Sequence, residues 1–178
     1  MVIKISSIYK GLKEQEQELE KDKYTIYCDM DGVLSDFNAR FDHFTGLAPR
    51  EYEQEYGKKK FWKLIDGEVG IRFWVGMPWM PDGKELWDFI KPFKPIILSA
   101  PSRNNVSRLG KRLWVRNNIP GAKLTLANRI NKQQYSQRDS ILIDDMPQTI
   151  EEWKAGGGIG ILHTSAASTI KQLKQLGL

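Results

Sequence analysis

The stretch YTIYCDMDGVLSDF, residues 24–37, constrains this chain more than any other. Residues 24–28 are β-branched, aromatic or small, a mix that suits a buried strand. The strand runs into Asp29-Met30-Asp31-Gly32, two carboxylates one residue apart followed by a glycine. Two anions this close repel each other, and one takes up a proton unless a cation shares the site. A Mg2+ ion, with its preference for oxygen ligands, meets that need most simply. Gly32 lets the backbone turn sharply at the carboxyl end of the strand, where open α/β sheets place their ligands.

The remaining sequence alternates strand and helix. Strands are expected at 24–28, 94–100, 123–127, 140–144 and 159–163, and helices at 36–46, 82–91, 104–118, 147–155 and 165–176. Short helices and turns fill 49–80. Such alternation implies right-handed crossovers and a parallel five-stranded sheet with both faces covered, an α/β three-layer sandwich. The run from Gly156 to Gly160 is not a dinucleotide fingerprint, because it follows a helix and precedes a strand, the reverse of the order that chemistry needs.

Three further places read as partners of Asp29 and Asp31. The strand at 94–100 brings Ser99 to its carboxyl end, where a hydroxyl and nearby backbone N–H groups can donate to a phosphate. The strand at 140–144 runs into Asp144-Asp145, and two adjacent carboxylates at an apolar strand end are costly without a partner. One of them could cap the helix at Pro147, but hardly both. Between these strands lie Lys111 and Lys132, either of which could neutralise the carboxylates and a phosphate.

Composition narrows the class. At 178 residues the chain suits one domain with a modest insertion. Forty per cent hydrophobic residues and a mean hydropathy of -0.48 indicate a soluble globular protein, and no apolar run approaches the roughly 20 residues of a membrane span. The start lacks the pattern of a signal peptide, and the single Cys28 reads as a small core residue, so a cytoplasmic location is expected. A net charge of +5 fits either phosphorylated substrates or a nucleic-acid surface. The tightest basic run, Lys58-Lys59-Lys60, reads as a solvated patch.

Taken together, Asp-x-Asp, Ser, Lys and an acidic pair stand in the order of the four motifs of haloacid dehalogenase (HAD) superfamily phosphatases, which residues 24–178 resemble. A finer likeness is to the 5'(3')-deoxyribonucleotidase branch. It rests on Asp29-Met30-Asp31-Gly32-Val33-Leu34-Ser35-Asp36-Phe37, on Ser99 and Pro101 before Lys111-Arg112-Leu113-Trp114-Val115, and on Leu142-Ile143-Asp144-Asp145. Two departures bear on substrate preference: Ser99-Ala100 stands where relatives often have Thr-Ser, and the region before Lys132 aligns loosely.

The resemblance implies a fold with residues 24–36 and 81–178 as the core, 37–80 as a small helical cap, and 1–23 as a polar extension outside both. It implies Asp29 as nucleophile and Asp31 as general acid/base. Mg2+ would be held by Asp29, the Asp31 backbone carbonyl, Asp144 and Asp145. Ser99 and Lys111 would bind phosphate, with Lys132 a second cation near the mouth. The substrate would be a small phosphorylated molecule, a (deoxy)nucleoside monophosphate. The alternatives are a phosphatase of nucleic-acid 3' ends and a catalytically silent binding module. Residues 37–79 hold ten of the chain's nineteen aromatics, most of them expected to form the cap's own core. Phe37, and less strongly Trp74, are the candidates to stack on a base.

Overall fold

The computed structural model describes residues 23–178, so the expected polar extension lies outside the described residues but for Lys23. Five strands, β1 (Thr25–Cys28), β2 (Ile96–Ser99), β3 (Lys123–Leu126), β4 (Ser140–Asp144) and β5 (Ile159–Leu162), form one parallel sheet in the order β3-β2-β1-β4-β5. The chain winds outward from β1 through β2 to β3, then crosses over β1 to lay down β4 and β5. That reversal makes the carboxyl ends of β1 and β4 a topological switch point, where the connecting segments diverge and leave a crevice. Register sharpens the point. Cys28 pairs with Ile143, and the Asp29 N–H donates to the Ile143 carbonyl at 2.8 Å, so Asp29 and Asp144 emerge side by side.

Alternation along the strands divides the apolar residues between two layers. Ile26, Cys28, Ile97, Ile141 and Ile143 face the larger core, while Tyr27, Leu98 and Leu142 face a smaller one completed by Ile150 and Trp153. The smaller layer is covered by α7 (Pro147–Ala155). The larger core takes in residues of α5 (Gly83–Ile90), α6 (Asn105–Asn118) and α8 (Ala166–Gln175). All of these elements fall where the sequence places them, within a residue or two at their ends.

Between β1 and α5 the chain makes a run of helices. These are α1 (Phe37–Thr45), α2 (Pro49–Tyr56), α3 (Lys58–Trp62), a π-helical segment (Lys63–Val69) and α4 (Ile71–Val75). Asp36 caps α1 by accepting from the Ala39 N–H at 2.8 Å. The two ends of this insertion are tied together: the Asp36 N–H donates to the Pro78 carbonyl at 2.8 Å, and the Met80 N–H to the Leu34 carbonyl at 2.8 Å. Its aromatic residues pack on one another, Phe41 and Phe61 with ring centroids 4.9 Å apart and Phe37 and Phe73 5.0 Å apart. The insertion also leans on the sheet domain, and the reason is Gly110 of α6. A side chain there would meet the Trp74 ring carbon Cγ at 3.1 Å, so only glycine lets α4 approach α6 this closely.

The sequence carries no sign of the π-helical turn. There the Gly70 N–H reaches back five residues to the Ile65 carbonyl at 2.9 Å. The wider turn puts Lys63, Asp66 and Gly67 on the wall of a cavity, in keeping with the tendency of π-bulges to occur at functional positions.

Candidate active site

The turn after β1 is closed by its own backbone. The N–H groups of Leu34 and Ser35 both donate to the Met30 carbonyl, at 2.9 and 2.8 Å. Gly32 within it has φ of 79°, a left-handed conformation that a side chain resists. A second reason for glycine is space, because the Asp145 carboxyl carbon would lie 2.7 Å from any Cβ built at Gly32. The turn thereby holds Asp29 and Asp31 at the edge of the sheet and lets Asp145 fold in beside them.

Asp29, Asp144 and Asp145 each bring a carboxylate oxygen within 4.8 Å of the others. Asp29 and Asp144 are buried; Asp145 reaches solvent on one side, although its carboxyl packs against the turn. Burial, together with the Asp29 charge and opposed by Lys132, pushes Asp144 up to about 6, and burial with the Asp29 and Asp144 charges pushes Asp145 up to about 6. Lys132 lies in the middle of this group, 2% exposed, with its ammonium 2.7 Å from Asp144 Oδ2 and 3.0 Å from Asp29 Oδ1. Burial opposes its charge, but the two carboxylates outweigh that and hold its pKa above the ordinary lysine value. Asp29 Oδ1 is held by this ion pair alone among the described residues. Three converging carboxylates, two of them raised, are a donor set that fits a hard divalent cation.

Asp31 belongs to a different network. Its Oδ1 accepts from Ser35 Oγ at 3.1 Å, and its Oδ2 pairs with the fully buried Lys111. Lys111 Nζ also donates to Ser99 Oγ at 2.9 Å and lies 5.2 Å from the centre of the Trp74 ring. Among the described residues two buried lysines therefore serve two separate groups: Lys132 with Asp29 and Asp144, Lys111 with Asp31 and Ser99. Lys132, expected as a second cation near the mouth, lines the inner cavity while nearly all of its surface is buried. The turns of 3-10 helix over Arg129–Tyr135, absent from the sequence reading, carry it under the strand ends, where it answers the carboxylate repulsion.

Two connected cavities open above these groups. The inner one, about 580 Å³, is lined by Asp29, Asp31, Gly32, Lys132 and Asp145. The outer one, about 1430 Å³, runs between the π-helical segment and the start of α6, and shares Asp31, Phe37, Ala100 and Arg129 with the inner. Phe37 thus faces both cavities while its ring packs against Phe73 and Trp74, with centroids 5.0 and 5.9 Å away. Trp74 is 2% exposed and gives its indole N–H to Asp66 Oδ1 at 3.2 Å, which leaves little ring face for a ligand. Trp62 is half-buried on the same wall and better presented. Nothing in the aromatic-rich sequence distinguished Trp62 from its neighbours. Lys58 and Lys59, read as a solvated patch, are exposed but line the outer cavity.

No protein-family profile matches the chain, and no curated protein is similar to it in sequence. Solved structures are similar in fold. A hydrolase from Streptococcus pneumoniae TIGR4 superposes with a TM-score of 0.52 at 16% identity, over 85% of this chain and 99% of that one. L-2-haloacid dehalogenase from Xanthobacter autotrophicus, with chloropropionic acid covalently bound, gives a TM-score of 0.50 at 11% identity, over 85% of this chain and 82% of that one. The five-stranded parallel sheet, its strand order and these superpositions show that residues 23–178 adopt the Rossmann-like fold of the haloacid dehalogenases.

Proposed function

We propose that this protein is a Mg2+-dependent phosphatase that hydrolyses phosphate monoesters through an aspartyl-phosphate, with (deoxy)nucleoside monophosphates as its substrate class. The observation that carries the reading is the division of labour among the buried charges. Asp29 stands beside two further carboxylates with Lys132 as its counter-ion, while Asp31, two residues on, is held apart by Ser35 and Lys111. A binding module has no need of a second carboxylate held in this way. The fold supports the reading without choosing the reaction, since the likeness covers a dehalogenase as well.

In this reading an Asp29 oxygen attacks phosphorus in line with the leaving oxygen. The new P–O bond forms as the ester P–O bond breaks, and the electron pair left on the departing oxygen takes a proton from Asp31. In the second step Asp31 takes a proton from water. The resulting hydroxide attacks phosphorus, the bond to Asp29 breaks, and inorganic phosphate leaves. Lys111 has two roles. It pairs with Asp31 and donates to Ser99; a phosphate at Asp29 draws its ammonium toward the phosphoryl oxygens, with Ser99 beside it, and frees Asp31 to carry a proton. Lys132 offsets the charge of Asp29 and Asp144 throughout. Asp29, Asp144 and Asp145, with the Asp31 backbone carbonyl, would hold Mg2+, which when bound neutralises charge on the phosphoryl oxygens. The helices between β1 and α5 act as the cap over the site, with Phe37 at the junction.

The test is phosphate release with Mg2+ from p-nitrophenyl phosphate, from 5'- and 3'-deoxynucleoside monophosphates and from sugar phosphates. Preferred turnover of nucleotides is expected. Release from none of them by folded, Mg2+-loaded protein refutes the reading, and preference for sugar phosphates refutes its substrate class.

A further inference from the structure

The inner cavity already has cations for a single phosphate monoester: Lys132 and Arg129 on its wall, and Lys111 buried behind Asp31. The outer cavity shares Arg129 and adds four more around its wall: Lys58, Lys59, Lys63 and Arg103. Against them stands one further acid, Asp66, whose carboxylate is partly occupied by the Trp74 indole N–H. Lys63 is loosely paired with Glu68 at 3.6 Å and Arg129 with Glu152 at 2.8 Å, but among the described residues no carboxylate pairs with Lys58, Lys59 or Arg103. A mononucleotide has one phosphate and leaves these cations with nothing to neutralise. Volume points the same way: the outer space of about 1430 Å³ exceeds the roughly 300–1,000 Å³ that encloses an ordinary small ligand. Trp62, half-buried, lines the same wall as the cations, and a basic groove interleaved with an aromatic is how single strands are bound without sequence preference.

We propose that the outer cavity is a groove for a single-stranded nucleic-acid end, and that the phosphate monoester hydrolysed at Asp29 is the terminal phosphate of that strand. The proposal rests on the phosphatase chemistry above and moves its preferred substrate from the free mononucleotide to the terminal nucleotide of a strand. The terminal phosphate enters past Phe37 and Asp31. The next internucleotide phosphates lie along Lys58, Lys59 and Arg103, and a base stacks on Trp62. The two lysines come from α3 and the arginine from the loop before α6, so the strand runs between the helical insertion and the sheet domain.

The test uses the full chain and five-nucleotide single-stranded DNAs carrying a 3'-phosphate, a 5'-phosphate or neither, with thymidine monophosphates as the short comparison. Binding is read by fluorescence anisotropy of a labelled strand, and turnover by phosphate release. Three phosphate contacts predict a log–log salt slope near -2 for strand binding, roughly an 18-fold loss between 50 and 200 mM salt, from about 0.7 per contact on a single strand. The double variant Lys58→Ala/Lys59→Ala should flatten that slope by about 1.4. Trp62→Ala should weaken binding by about tenfold or more at every salt concentration, the effect of losing one base stack. A thermal melt of each variant shows that it folds. A phosphorylated strand that is turned over no faster than the mononucleotide, or binding that ignores both salt and the lysine pair, overturns the groove. The phosphatase reading fails separately, on p-nitrophenyl phosphate: strand binding with the predicted slope but no phosphate release from any substrate leaves the groove standing and removes the chemistry.

Discussion

Replacing Lys132 with methionine tests the electrostatic heart of the site, because it keeps the stem of the side chain and deletes the charge. The ammonium is 3% exposed and lies between Asp29, 11% exposed, and Asp144, fully buried. Removing one partner from a buried charge network costs about 3–5 kcal/mol, since the others stay behind uncompensated. For a chain of 178 residues each kcal/mol moves Tm by roughly 2–4 °C, so a fall of about 6–20 °C is expected. The assay is a calorimetric melt of Lys132→Met and wild type at pH 7.5 in EDTA. The deficit should shrink when Mg2+ is added, because a bound divalent cation takes over the missing charge. At a hundred times its Kd the ion contributes about 2.7 kcal/mol. It should also shrink at pH 5, where one carboxyl takes up a proton. Lys91→Met is the control: its ammonium is 2.6 Å from Asp88, closer than Lys132 lies to either of its carboxylates, but both side chains are more than half exposed. An exposed pair is worth no more than about 1 kcal/mol, so its melt should move by a few degrees at most. A Lys132→Met deficit in EDTA no larger than that of Lys91→Met would refute the reasoning, as would a deficit indifferent to both Mg2+ and pH.

Asp29→Asn should abolish phosphate release while the protein melts no lower than wild type in EDTA, since the change removes a charge from a crowded carboxylate group; full activity would end the covalent mechanism. Asp144 and Asp145 titrate at about 6 in the fold and near 3.8 when unfolded, so the folded state binds more protons between those values. Their contribution is favourable below the unfolded pKa and is lost as pH rises through the folded one. The Tm of metal-free protein should therefore fall between pH 4 and pH 6 on their account. The gain in Tm from Mg2+ should be larger at pH 7.5 than at pH 5, and a gain independent of pH would count against this ligand set. Gly110→Ala should cost about 1–3 kcal/mol, because the new methyl group meets the Trp74 side chain. The accompanying fall in Tm, read by the same melts, should be accompanied by a change in tryptophan fluorescence as Trp74 shifts.

The strands and the order of the chemical groups along the chain were written in local sequence. Short apolar β-branched runs ending in Asp29, Ser99 and Asp144 depend on neighbours a few residues away, and strand and helix alternation leaves a parallel sheet as the way to bury both faces. Capping at Asp36 and the turn at Gly32 are local for the same reason. What the sequence could not determine is which cation meets which carboxylate. Lys111 and Lys132 are equivalent by type, and only the helix angle of α6 and the 3-10 turns after β3 send one to Asp31 and the other to Asp29 and Asp144. The outer cavity is likewise a product of packing. Lys58 and Lys59 look like solvated lysines until the π-helical turn and the close contact of Trp74 with Gly110 bring α3 across from Arg103. Contacts between residues on different elements, far apart in the chain, carry no local signature, so their chemistry becomes legible only when the chain has folded.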